Sequence, residues 1–287
     1  MPKKGMVINM KRANLQSLFL KSIVYIALLL AVSTLVLIVG NILIKGIPHL
    51  SLNLFRFKYT SENVSLFPAM INTLTMTLLS LLIAVPLGVF SAIYLVEYAK
   101  RGNGIVAVVR TTAETLSGIP SIVYGLFGYL MFVVALGWGY SLLAGAFTLS
   151  IMILPLIMRT TEEALKATPD TYREGSYGLG AGKLRTVFRI VLPSAMPGIL
   201  AGIVLSVGRI VGETAALIYT AGTVAQIPDN IMSSGRTMSV HMYALWNEGL
   251  NAKESYATAV VLLIVVIGLN AFSAFIARRI SKGKTIK

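Results

Sequence analysis

Charged residues fall in clusters along the chain and leave five long uncharged runs, at residues 22–44, 63–96, 115–158, 190–208 and 255–277. A bilayer core takes roughly 20 apolar residues of helix, so each run is long enough to cross once and the 44-residue run at 115–158 twice. The strict apolar/polar alternation of a half-buried strand is absent. The pattern predicts six helical spans, over 19–44, 69–96, 115–136, 140–158, 195–220 and 256–278. Gly137-Trp138-Gly139 divides the longest run with a tight turn, two glycines supplying the backbone freedom and the tryptophan suiting an interface. Pro86 and Pro120 predict kinks within spans, while Gly118, Gly125 and Gly128 predict close helix approach rather than a substrate role.

Composition agrees with an all-α membrane protein: 56% of residues are hydrophobic, 13% are charged, and the mean hydropathy is +0.79. The net charge of +14 would point to nucleic acid in a soluble chain. Here its distribution reads as topology instead. Nineteen basic residues lie at the amino terminus (Lys3 to Lys21), at 100–110, at 159–189 and in the tail from Arg278, against five in the three alternate loops. Short cytoplasmic loops collect lysine and arginine, so six spans with both termini in the cytoplasm are expected, and nucleic-acid binding is set aside. The chain has no cysteine and only His49 and His241, which excludes disulfides and thiolate sites and argues against a metal centre. Residues 22–44 are too long for a signal-peptide core and are read as an uncleaved first span.

Two connections exceed simple turns. Residues 45–68 lie outside the membrane in this reading, and so do 221–255, where Met238, Met242 and Leu245 recur on one helical face beside Trp246. That face predicts an interfacial helix lying on the bundle, with a docking surface for an external partner as the other reading.

Residues 159–194 form a polar, strongly patterned loop. Thr168-Pro169-Asp170 predicts a helix start, Gly180 and Gly182 a stop, Lys183 a second short helix, and Pro193 its end. A helix, glycine turn and helix would make a rigid lever on the cytoplasmic face. The spacing Glu174-Gly175-Ser176, three residues, Gly180, nine residues, Ile190, one residue, Leu192-Pro193 resembles the EAA loop of the membrane subunits of type I ABC importers, with Gly-Ser in place of Ala-Ala. The resemblance implies a six-helix importer fold, with a cytoplasmic segment (1–18), a first helix and its outside loop (19–64), an ABC transmembrane type-1 domain over residues 65–280 that carries the other five spans, and a tail (281–287). It also implies that Glu174, Gly175, Gly180, Ile190, Leu192 and Pro193 couple the chain to a separate ATPase. No P-loop is present: Gly182-Lys183 is followed by Leu184 and lacks the required glycine spacing. ATP is thus expected on partner subunits, with no cofactor on this chain.

One basic residue remains inside a span. Arg209 and Glu213 stand four apart in the fifth, which on a continuous helix places them on one face. An arginine at mid-membrane costs at least about 2.5 to 3.5 kcal/mol, so it should face the bundle interior. It serves there either in a structural pair with Glu213 or as a site for an anion, whose oxygens match its planar fork. Arg209-Ile-Val-Gly-Glu213-Thr214-Ala-Ala-Leu-Ile-Tyr-Thr-Ala221 is similar to the corresponding segment of the PstA family, one of two kinds of membrane subunit in bacterial phosphate importers. Pro86-Leu-Gly-Val89, Tyr94-Leu-Val-Glu-Tyr98 and Gly118-Ile-Pro-Ser-Ile-Val-Tyr-Gly-Leu-Phe127 resemble it too. That likeness implies Arg209, Glu213 and Thr214 in the path of inorganic phosphate. It further implies a homologous PstC-type permease, two PstB-type ATP-binding subunits, an external PstS-type phosphate-binding protein and the bacterial inner membrane. An importer of sulfate, molybdate or phosphonate is the alternative; a channel or ion-coupled carrier would need no ATPase. The 11 acids form no acid/base or metal cluster, which argues against an enzyme.

Overall fold

The computed structural model describes the backbone of residues 3–100, 102–249 and 251–282, and side chains from residue 17 to 272 (except 101 and 250) together with Phe275. The basic clusters expected from Lys3 to Arg12 and from Arg278 to Lys287 lie outside the described side chains, as does Arg101. Within the described residues the chain is all helical, without strands. Five helices are long and apolar enough to cross a membrane, and six if one sharply bent pair counts as a span. The chain is a multi-pass membrane protein.

The first helix, α1 (Lys3–Gly46), extends beyond its expected span and exposes most of its apolar side chains from residue 17 on. It meets the bundle at Gly46, where a Cβ would lie within 2.5 Å of the Tyr256 carbonyl oxygen. Two short 3₁₀ turns lead to α2 (Phe67–Tyr98), tucking Leu54 and Leu66 into a small core with Met238, Ala257 and Val261. Helix α2 runs unbroken past Pro86 and ends in a wide π turn at Tyr94–Tyr98.

The third span differs from expectation. Instead of one kinked helix over 115–136 there are two, α3 (Gly104–Ser117) and α4 (Ser121–Ala135), set at 105°. Pro120 has no N–H and sits at φ −58°, ψ 141°, so the helix stops rather than bends. The Tyr124 hydroxyl donates to the Leu116 carbonyl at 2.7 Å, satisfying an oxygen beside the break. The expected turn after α4 is present, with Gly137 and Gly139 both at positive φ and Trp138 stacked on Phe132.

Helix α5 (Leu142–Lys166) is the central element. It packs on α2 and on the seventh helix, and carries Leu149, Met152, Ile153 and Ile157 into the main core. After α6 (Asp170–Gly178) and a turn at Gly180, α7 runs continuously as Lys183–Val211. Pro193 was expected to end a short helix, yet α7 passes through it. A wide π turn at Val187–Val191 loosens the backbone just upstream, placing Pro193 in the first turn of the segment that follows, where a missing N–H costs little.

The expected fifth span is also interrupted: α7 ends at Val211, and α8 (Ala215–Thr220) starts after Gly212-Glu213-Thr214. Of the three expected close-approach glycines, Gly125 and Gly128 press on neighbouring elements; a Cβ on Gly125 would stand 2.7 Å from the Ala216 Cα. Gly118 meets only its own turn. Helix α9 (Met238–Glu248) lies on the bundle through buried Met238 and Leu245, as its face predicted, and α10 (Ala252–Lys282) completes the fold beside α7 and α1.

Candidate functional site: a charged cavity above a protruding loop

Helical side chains lean toward the N-terminus of their helix, so Arg209 near the end of α7 points back along the bundle toward the end that carries α6. It lines a cavity of about 390 Å³ together with Arg110, Arg159, Lys166, Glu114, Glu162 and Glu163 among others. Four cations thus face three acids. Arg159 pairs with Glu163 at 3.1 Å, and Glu162 accepts from Lys166 and forms an ion pair with Arg110, both at 2.6 Å. Among the described residues Arg209 has neither an ion-pair nor a hydrogen-bond partner. A half-buried guanidinium facing a cavity with its donors free is a ready site for an oxyanion.

Glu213 is not the partner of Arg209. Because α7 stops at Val211, the i, i+4 relation between them does not survive, and the Glu213 carboxylate turns to α8 instead. It accepts from the backbone N–H groups of Thr214 (3.2 Å) and Ala216 (3.1 Å), which the break leaves without helical acceptors. Thr214 sits at the break as the residue before α8. These two residues therefore shape the backbone next to the cavity, while Arg209 alone of the three lines it.

The loop at this end is braced from within. Thr168 does not cap α6; its hydroxyl turns back to the Ala164 carbonyl, and the first helical residue is Asp170. Arg173 takes over the tethering, donating to Glu97 on α2 (2.7 Å), to Asp170 (3.1 Å) and to the carbonyls of Thr168 (2.9 Å) and Leu165 (3.0 Å). The hydrogen bond to Glu97, reinforced by nearby negative charge and opposed by burial, holds the Arg173 guanidinium above its ordinary pKa. Ser176 and Thr186 hydroxyls join α6 to α7 at 2.8 Å.

The outer side of the loop is open. Glu174, Gly175, Gly180 and Ile190 are exposed, and Leu179 shows 91% of its surface. Leu192 and Pro193 are half-buried against the bundle. Gly180 at φ +80° makes the turn between the two helices, as the sequence predicted.

Several site residues had not been singled out. Glu162–Lys166 and Arg159–Glu163 stand at i, i+4 and were readable as helix pairs. The contacts Arg110–Glu162 and Arg173–Glu97 join helices far apart in the chain and carry no local signal.

A multi-pass helical bundle with an anion-compatible cavity above a rigid, exposed helix-turn-helix is the architecture of a membrane transport subunit. The chain belongs to the family of binding-protein-dependent transport system inner membrane components, whose model matches residues 84–285. It is 34% identical over 265 residues to a probable ABC transporter permease, YqgI, of Bacillus subtilis, covering 85% of this chain and 89% of that one. It is 38% identical over 216 residues to the phosphate transport system permease PstA 1 of Mycobacterium tuberculosis, covering 73% and 69%. The fold matches that of type I ABC importer permeases: a bacterial alginate ABC transporter, solved with its alginate-bound periplasmic protein, superposes at a TM-score of 0.65, 18% identity and 96% and 97% coverage. The chain is a permease subunit, not an enzyme.

Proposed function

We propose that this chain is one of the two permease subunits of an ATP-driven importer of inorganic phosphate in the bacterial inner membrane. A PstC-type permease would complete the path, two PstB-type ATPases would bind ATP, and a PstS-type protein would deliver phosphate from outside. The carrying observation is Arg209: a cation with no ion-pair or hydrogen-bond partner among the described residues, facing a cavity inside a membrane bundle whose relatives include phosphate permeases. Arg209 would contact phosphate in passage, with Glu213 and Thr214 holding the α7–α8 break that shapes the site.

The α6–α7 loop is the coupling device in this reading, with the α6 end cytoplasmic. Its exposed Leu179, Glu174 and Gly180 would sit in the ATPase. Helix α7 then runs continuously from Lys183 to Val211, about 43 Å at 1.5 Å per residue, so displacement of the loop is carried toward Arg209 along one helix, through the wide turn at Val187–Val191 and past Pro197. Had Pro193 ended a separate short helix, that push would have been lost in a joint.

The test is uptake of labelled phosphate by cells whose own importers are deleted and which express this chain with its partner subunits. Saturable uptake that excess sulfate or molybdate does not reduce is expected. Uptake that follows sulfate or molybdate instead would assign the chain to another oxyanion.

A further inference from the structure

Glu162 is a buried carboxylate that holds two cations on one oxygen. Its Oε1 lies 2.6 Å from Arg110 Nη2 and 2.6 Å from Lys166 Nζ; its side chain is 9% exposed, whereas theirs are 40% and 55% exposed. Arg110 keeps a further donor, Nε, buried with no hydrogen-bond partner among the described residues. Both cations line two spaces: the chamber of about 390 Å³ that contains Arg209, and a second of about 590 Å³ beside Glu97, Asp170 and Arg173 at the loop-bearing end. The cluster therefore stands between Arg209 and that end of the molecule.

The cluster also holds two elements together. Arg110 is on α3, which packs chiefly on α5 and leaves α4 at the 105° break. Glu162 and Lys166 are on α5. The Arg110–Glu162 ion pair is thus a latch between α3 and α5.

A carboxylate and a phosphate offer a guanidinium the same charged oxygens. A file of unpaired cations below Arg209 would be a well from which an anion could not leave, because conduction requires binding weak enough for release. A tethered acid solves this by competing for the same donors. Resting on the phosphate reading above, we propose that Glu162 is a tethered counter-anion of the exit path. Phosphate leaving Arg209 displaces it from Arg110 and Lys166, whose side chains are 40% and 55% exposed; the return of Glu162 expels phosphate and closes α3 onto α5.

The test is equilibrium binding of labelled inorganic phosphate to the complete, purified importer without ATP, with uptake measured for the same variants in cells at equal assembled protein. Glu162→Gln removes the competitor, so Kd should fall about tenfold while uptake falls, a combination that a merely structural role would not give. Glu162→Asp should restore both toward wild type, and Arg110→Gln should raise Kd about tenfold. Unchanged or weaker phosphate binding by assembled Glu162→Gln overturns the proposal. Should that variant not assemble, unchanged binding and uptake by Arg110→Gln overturn it equally. Arg209→Gln, measured alongside, separates the two ideas. Normal uptake there removes the phosphate path and the latch with it, whereas lost uptake there with unchanged Glu162→Gln binding removes only the tethered anion.

Discussion

The guanidinium of Arg173 on α6 meets the Glu97 carboxylate at the end of α2 at 2.7 Å, with both side chains largely buried. This contact ties the protruding loop to a membrane helix that is remote in sequence. Breaking a buried pair from one side leaves an uncompensated charge and costs on the order of 3 kcal/mol. Glu97→Gln should therefore lower the unfolding temperature of the purified importer and uncouple ATP hydrolysis from uptake. Adding Arg173→Gln should cost less than the sum of the single changes. Strict additivity in that cycle would show that the two residues act separately.

Gly180 at φ +80° faces open space, since a Cβ there would meet nothing within 4 Å. Within this chain its substitution therefore alters backbone conformation without a steric clash. Gly180→Ala should cost about 1 to 2 kcal/mol and reduce transport-linked ATPase activity, while Gly180→Asn, which tolerates the left-handed region, should retain more of it. Equal activities in the two variants would contradict this account of the turn.

Much of the architecture was legible in the sequence because the solvent changes abruptly along the chain: uncharged runs mark spans, and glycine pairs such as Gly137 and Gly139 mark turns. Arg209 was legible for the same reason, as a charge where charge is expensive. What failed were inferences that assumed helices continue or stop by local rule. Pro120 breaks a helix that was expected to kink, and Pro193 lies within one that was expected to stop, because the wide turn at Val187–Val191 has no clear sequence signature. Glu213 was assigned to Arg209 by spacing, and the break at Gly212 gave it to the α8 backbone instead. Arg110 was read as a loop cation in the 100–110 cluster, whereas it lies on α3, and its partner Glu162 is set by packing of α3 on α5.

At Gly125 the approach of α4 to α8 leaves no room for a side chain, the nearest atom to an added Cβ being the Ala216 Cα at 2.7 Å. Backbone cannot rotate away as a flexible side chain could. Gly125→Ala should thus cost about 1 to 3 kcal/mol by overpacking, read as a lower unfolding temperature. The paired change at the exposed Gly175 should cost less than that, and a reversed order would contradict the packing described.

Burial, together with the neighbouring Arg236 charge and against a hydrogen bond from the ring to the Val64 backbone, pushes the His241 imidazole down from 6.5 to about 3. The unfolded chain takes up a proton near 6.5 that the folded ring refuses, so the contribution of His241 is intact above 6.5 and is lost as the pH falls toward 3. The slope is about 1.4 kcal/mol per pH unit. Between pH 7 and pH 5 the wild-type importer should lose more unfolding temperature than His241→Asn. Parallel pH profiles would show that the ring does not titrate as described.

The central claim is that Arg209 receives the transported anion. Phosphate uptake through the complete importer, compared between wild type and Arg209→Gln with assembled protein matched, tests it most directly. Because Arg209 has no ion-pair or hydrogen-bond partner among the described residues, its loss should leave assembly intact and abolish uptake; undiminished uptake by the assembled variant would contradict the account.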